Sequence, residues 1–150
     1  MKADFLKLIE SGTGGVFRCH PPLPEAALET AERKKLLVVP IRLIAARDKN
    51  GFLNAIARAL RFPAYFGHNW DAFYDCLLDL KLDEGTGTLL VLRDASGFAR
   101  AEPEEFAAAM ATLTDAADYW KAENKMLLVV VELEAPALAP ELAEISRPTA

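Results

Sequence analysis

The chain has 150 residues, 52% of them hydrophobic and 26% charged, which suits one domain with a substantial core. Its formal net charge of −5 argues against direct nucleic-acid binding, whose footprint is a basic face, and suits attraction of a basic protein partner. Two cysteines, Cys19 and Cys76, are too few for a disulfide scaffold; no segment reads as a signal peptide or membrane span, so a reduced, cytoplasmic, soluble protein is expected.

Residues 4–10 read as a short helix with Phe5, Leu8 and Ile9 on one side, and the Ser-Gly-Thr-Gly-Gly run at 11–15 breaks it. That run lacks the Gly-Lys-Ser/Thr of a phosphate-cradling loop, so it reads as a turn into a strand at 16–19. His20-Pro21-Pro22-Leu23-Pro24 is a rigid linker to a helix at 25–35, acidic early and basic late as the helix dipole favours. Residues 36–43 form an apolar strand in which Pro40, lacking an N–H, marks an edge or an interruption. Asp48 is a fitting N-cap for a helix carrying Phe52, Leu53, Ile56, Ala57 and Leu60 at helical spacing. A loop over 62–68 ends at Asn69, the N-cap of a helix reaching about Leu80 or Leu82.

Residues 88–92 form an almost wholly apolar strand. Pro103 opens a long helix with Glu104 and Glu105 behind it and Phe106, Met110, Leu113, Ala117 and Trp120 as its buried stripe. Residues 126–133 close the pattern as a continuous apolar strand, and the Pro/Ala-rich tail at 135–150 is expected to be poorly ordered. Strands that alternate with helices and are apolar on both faces point to a single α/β domain with a largely parallel sheet.

The informative segment is the helix that Asn69 opens. Turning about 100° per residue places Ala72, Phe73, Cys76, Leu77 and Leu80 on one core face. Asp71, Asp75 and Asp79 share the opposite side, with Asp83 extending the series if the helix reaches it, and Tyr74 and Leu78 flank them. Like charges four residues apart repel by roughly 0.2–0.5 kcal/mol per pair. No lysine or arginine lies between Arg61 and Lys81 to neutralise them. Beside them stand Tyr65, Phe66, Trp70 and Tyr74, and aromatic residues next to charge are typical of binding surfaces.

The stretch Phe62-Pro63-Ala64-Tyr65-Phe66-Gly67-His68-Asn69-Trp70-Asp71-Ala72-Phe73-Tyr74-Asp75-Cys76-Leu77 resembles the signature of the barstar family. The resemblance runs from about residue 36 to 133. It implies a single barstar-like α/β domain at 36–134, with a small, mostly parallel sheet of three to four strands packed with helices. Residues 1–35 would be an N-terminal extension (short helix, strand, helix) packed on that domain. It further implies a protein inhibitor of a guanyl-preferring ribonuclease, whose partner surface comprises Tyr65, Gly67, Asn69, Trp70, Asp71, Tyr74, Asp75, Leu78 and Asp79. Asp75 would enter the site that holds the RNA phosphate, since a carboxylate imitates that anion before Arg, Lys and His. The best-studied inhibitors of the family have Trp where this chain has Tyr74 and Leu where it has Trp70, which bears on the partner rather than the fold. Family inhibitors also use an acid on the last long helix, for which Asp118 and Glu123 are the candidates.

The partner implied is a basic extracellular-type ribonuclease or nuclease toxin, with no cofactor, no metal and no membrane. The alternative keeps the fold and makes the chain an immunity or binding module for another basic toxin or protein. Enzymatic readings fare worse. Cys76 lies on the core face beyond the first turn, where a thiol is inert. Cys19, His20, His68 and Cys76 have no recognised metal-ligand spacing. Asp71 and Asp75 on an exposed helix lack the cleft of a hydrolytic carboxylate pair.

Overall fold

The computed structural model describes residues 2–63, 67–82 and 87–146. Along the chain run β1 (Lys2–Asp4), α1 (Phe5–Ser11), β2 (Gly15–Cys19), α2 (Glu25–Arg33), β3 (Leu37–Arg42), α3 (Lys49–Leu60) and α4 (Trp70–Leu78). There follow β4 (Gly87–Arg93), α5 (Ser96–Ala101), α6 (Pro103–Ala122), β5 (Met126–Glu132), a 3-10 turn (Pro136–Leu138) and β6 (Ala143–Ser146). The strands form one sheet in the order β1-β6-β2-β5-β4-β3, with every neighbouring pair parallel.

Local chemistry sets the helix ends. Asp4 accepts from the Lys7 N–H, Asp48 from Gly51 and Asn69 from Ala72, each using an N–H that the first turn would leave unpaired. Gly12 ends α1 in the left-handed region at φ 69°, a conformation that costs glycine nothing. Pro103 occupies the start of α6 with Glu104 and Glu105 in its first turn.

The period-2 alternation of a strand divides the apolar runs between two cores. Leu90, Leu92, Leu127, Val129 and Val131 face one way, under α3, α4, α5 and α6, and meet Phe52, Ile56, Phe73, Leu77, Phe98 and Leu113. Leu89, Val91, Leu128 and Val130 face the other way, under α1 and α2, and meet Phe5, Ile9, Ala27, Leu28 and Ala31. Register keeps each layer together: Val16 opposes Val129, Val129 opposes Leu90, and Leu90 opposes Val39. Helices on both faces are the usual cover of an all-parallel sheet. At Gly14 a Cβ would lie 2.6 Å from the Leu127 carbonyl oxygen, so only glycine permits that backbone approach.

The expected small sheet of three to four strands is corrected to six, all parallel. The two unforeseen strands, β1 and β6, are three and four residues long and carry no apolar run. Pairing and charge hold them: β1 and β6 pair with each other, β6 pairs with β2, and Glu144 on β6 reaches Lys2 at 3.4 Å and Arg18 at 2.6 Å. Residues 143–146 of the tail therefore sit inside the sheet, and β2 of the N-terminal region lies between β6 and β5. Also unforeseen is α5, six residues around Gly97 whose Phe98 is fully buried. Conversely, α4 stops at Leu78, with Asp79 as its C-cap, short of the expected Leu80 or Leu82. A carboxylate and no base at the negative end of the dipole favour that early stop.

Candidate functional site

Two buried side chains fix α4. Phe73 packs edge-on to Phe52 at 5.8 Å between ring centroids and lies 6.2 Å from Phe62, and Leu77 is fully buried. From α6, the Trp120 indole N–H donates to the Leu77 carbonyl at 3.0 Å, a shorter bond than the 3.5 Å one that the same carbonyl accepts from the Leu80 N–H past the end of α4. Ala72, Cys76 and Leu80, expected on the core face, are only half-buried flanks of it.

The opposite face carries Asp71, Asp75 and Asp79, all exposed. Their spacing keeps them within an arc of about 80°. Among the described residues none of the three forms an ion pair. Asp71 gains from the positive end of the helix dipole, whereas Asp79 sits at the negative end. Their field reaches Cys76: burial first, then the charges of Asp79 and Asp75, push its thiol above the usual range. That shift works against thiolate chemistry at neutral pH.

Tyr74 is half-buried and, with Asp71, lines a cleft of about 180 Å³ shared with Thr112 and Asp115 of α6. Leu78 is half-buried at the end of the same flank. The α6 acid that shares this cleft is Asp115; Asp118 and Glu123, the candidates from sequence, do not line it. The signal was present in the sequence: Glu105, Thr112, Asp115 and Tyr119 recur at helical spacing beside the buried stripe. What was missing was the register of α6 against α4.

The loop residues separate into different roles. Asn69 is engaged twice within the chain, accepting from the Ala72 N–H at 2.8 Å and donating to the Gly67 carbonyl at 3.3 Å. Gly67 and Asn69 are exposed, and the His68 ring is hydrogen-bonded to Asn54 on α3 at 2.8 Å. Trp70 turns toward the body of the protein. Its indole N–H donates to Glu105 at 3.0 Å, its ring lies 6.0 Å from Phe52 and 5.8 Å from Phe73, and the Lys49 ammonium stands 5.6 Å from it. Trp70 thus fixes the start of α4 from within. Tyr65 and Asp83 lie outside the described residues.

Among the described residues no group of three or more His, Cys, Asp or Glu could hold a metal ion, and no helix is long and apolar enough to cross a membrane. The arrangement offers a carboxylate row on a rigid helix with an aromatic edge. It can present anions to a cationic surface without rearranging, because the helix beneath is already bonded to the core.

The family model Barstar (barnase inhibitor) matches residues 36–132, a span that runs from β3 to β5 and contains the whole of α4. No curated protein matches the chain. Among solved structures the chain is similar to the Aeropyrum pernix ORC2 protein in its ADP form, with 16% identity and a TM-score of 0.56 over 91% of this chain and 42% of that one. It is similar also to that protein's ADPNP-ADP complexes, with 16% identity and a TM-score of 0.55 over 97% of this chain and 45% of that one. The chain spans less than half of those structures, and at such identity the likeness is one of fold.

Proposed function

The chain belongs to the barstar family, and from that premise we propose that it inhibits a basic, guanyl-preferring ribonuclease by placing the aspartate face of α4 in the enzyme's phosphate-binding site. The observation that carries the reading is the exposed row Asp71–Asp75–Asp79, which forms no ion pair among the described residues, on a helix whose opposite side buries Phe73 and Leu77. Repulsion along that row lowers helix stability and is relieved when a cationic surface meets it. A ribonuclease gathers Arg, Lys and His around the phosphate it holds, and carboxylates at the same spacing accept those hydrogen bonds. Asp75, at the middle of the row, takes the phosphate position. Tyr74 and Leu78 supply apolar contact at its edge, and Asp115 adds a fourth carboxylate from α6.

The net charge of −5 speeds encounter with a basic partner. In this reading the chain catalyses nothing, needs no cofactor, and protects the cytoplasm of the cell that makes it. The test is steady-state cleavage of an RNA substrate by a small basic guanyl-preferring ribonuclease with increasing amounts of the protein. Blockage of the phosphate site predicts inhibition that excess RNA reverses. Inhibition indifferent to RNA concentration, or none, contradicts the proposal.

A further inference from the structure

A second concave site lies at the carboxyl edge of the sheet. There the loop after β2 leads to α2 on one face, while the loops after β3 and β4 lead to α3 and α5 on the other. The order β2-β5-β4 thus contains the reversal at which open parallel sheets leave a crevice for ligands. The crevice is present, with a volume of about 440 Å³. Every strand end around it contributes: Pro21 after β2, Arg47 after β3, Asp94, Gly97 and Arg100 after β4, and Glu134 after β5.

Its walls are bonded to one another. The buried Glu132 carboxylate accepts from the Leu23 N–H at 2.8 Å, from Arg93 at 2.9 Å and from the Asp94 N–H at 3.3 Å, joining the loops after β2 and β4 to the end of β5. The Leu43 N–H reaches the Arg93 carbonyl at 2.9 Å, and the Glu134 N–H reaches the Ser96 hydroxyl at 2.9 Å. Such a pocket is preformed, as small-molecule sites usually are.

The polar groups inside define what fits. Arg47 lies over Gly97, so that a Cβ on Gly97 would stand 3.5 Å from its Nε, and no ion pair or hydrogen bond engages it among the described residues. Arg100 is shared with Glu134 at 2.7 Å at the rim. Two guanidinium groups favour an oxyanion, and the carboxylates of Asp94 and Glu134 accept from hydroxyl or amino groups. Ile44, 59% exposed, offers an apolar rim.

We propose that this crevice binds a small organic oxyanion, a phosphate or a carboxylate, that also carries hydroxyl or amino donors. It is independent of the aspartate face of α4. The test is a titration of the ¹⁵N-labelled full chain with ribose 5-phosphate and, separately, with glutamate, followed by amide chemical shifts. At least one probe is expected to give saturable shifts centred on residues 94–100 and 134, and which one does so separates phosphate from amino-carboxylate. Arg47→Ala is expected to weaken that binding about tenfold, the loss of one charged hydrogen bond. Gly97→Leu, which projects a side chain against Arg47, is expected to abolish it, and the spectra report that both variants remain folded. Absence of saturable shifts with either probe, or binding indifferent to both substitutions, overturns the proposal.

Discussion

Cys76 reports on the charges beside it. Burial and the carboxylates of Asp79 and Asp75 hold its thiol above the ordinary range, and only the thiolate reacts. Asp79→Asn removes the larger of the two charge contributions, so the thiol pKa falls and the thiolate fraction rises at any pH below it. Alkylation of Cys76 by iodoacetamide is expected to quicken in that variant, with Cys19, 3% exposed, remaining protected. An unchanged rate would mean that the aspartates do not act on this flank together. The exposure of the three aspartates was legible in the sequence because a 3.6-residue period leaves little choice once Phe73 and Leu77 are assigned to the core. The inward turn of Trp70 was not, since its bond to Glu105 spans 35 positions along the chain.

Two neighbouring elements make the α4 face rigid. Trp120→Phe leaves the Leu77 carbonyl with only the longer bond from the Leu80 N–H and is expected to cost about 0.5–1.5 kcal/mol, the net worth of one hydrogen bond. The measurement is the urea midpoint together with amide exchange: α4 amides should lose protection, while those of β4 and β5 keep theirs. A midpoint equal to that of the unsubstituted protein would mean that Trp120 does not hold the end of α4. Most element types were legible because the long strands and helices carry strong apolar periodicity. The exceptions are short. β1, β6 and α5 have too few residues to show a period, and each exists because a neighbour supplies hydrogen bonds, ion pairs or a buried phenylalanine partner. Likewise Asp115 joins the site through the packing of α6 on α4, which no local pattern encodes.

Across the whole molecule, charge is arranged by region. Glu144 ties β1 and β2 to β6, and hydrogen bonds from Arg18 and then Lys2 hold its carboxyl below the usual range. A group whose folded pKa is depressed stabilises above its unfolded pKa, and the contribution is lost as pH falls through the folded value. Amide protection factors in β1 and β6, corrected for the intrinsic exchange rate at each pH and compared with β4, are therefore expected to fall on acidification through and below the ordinary carboxylate range. Glu144→Gln should bring that loss of protection to neutral pH and flatten its pH dependence; an unaltered pH profile would contradict the role given to Glu144. At the other end of the scale, the acidic balance of the chain and the exposed carboxylates of α4 and Asp115 support the basic partner proposed above. The family and the α/β layering were legible from the 62–77 stretch and the alternation of elements. The full width of the sheet was not, because its last strand lies beyond the apolar pattern.

Asp75 is proposed to occupy a phosphate site, and ribonuclease inhibition by the Asp75→Ala variant bears on that placement without an intermediate step. Inhibition constants would be measured at low and high salt beside the unsubstituted protein and Glu29→Ala, a control on α2. Asp75→Ala is expected to lose about 1.5–3 kcal/mol of inhibition, Glu29→Ala to change little, and inhibition by the unsubstituted protein to weaken as salt rises. Equal inhibition by all three proteins, independent of salt, would place the partner surface elsewhere on the molecule.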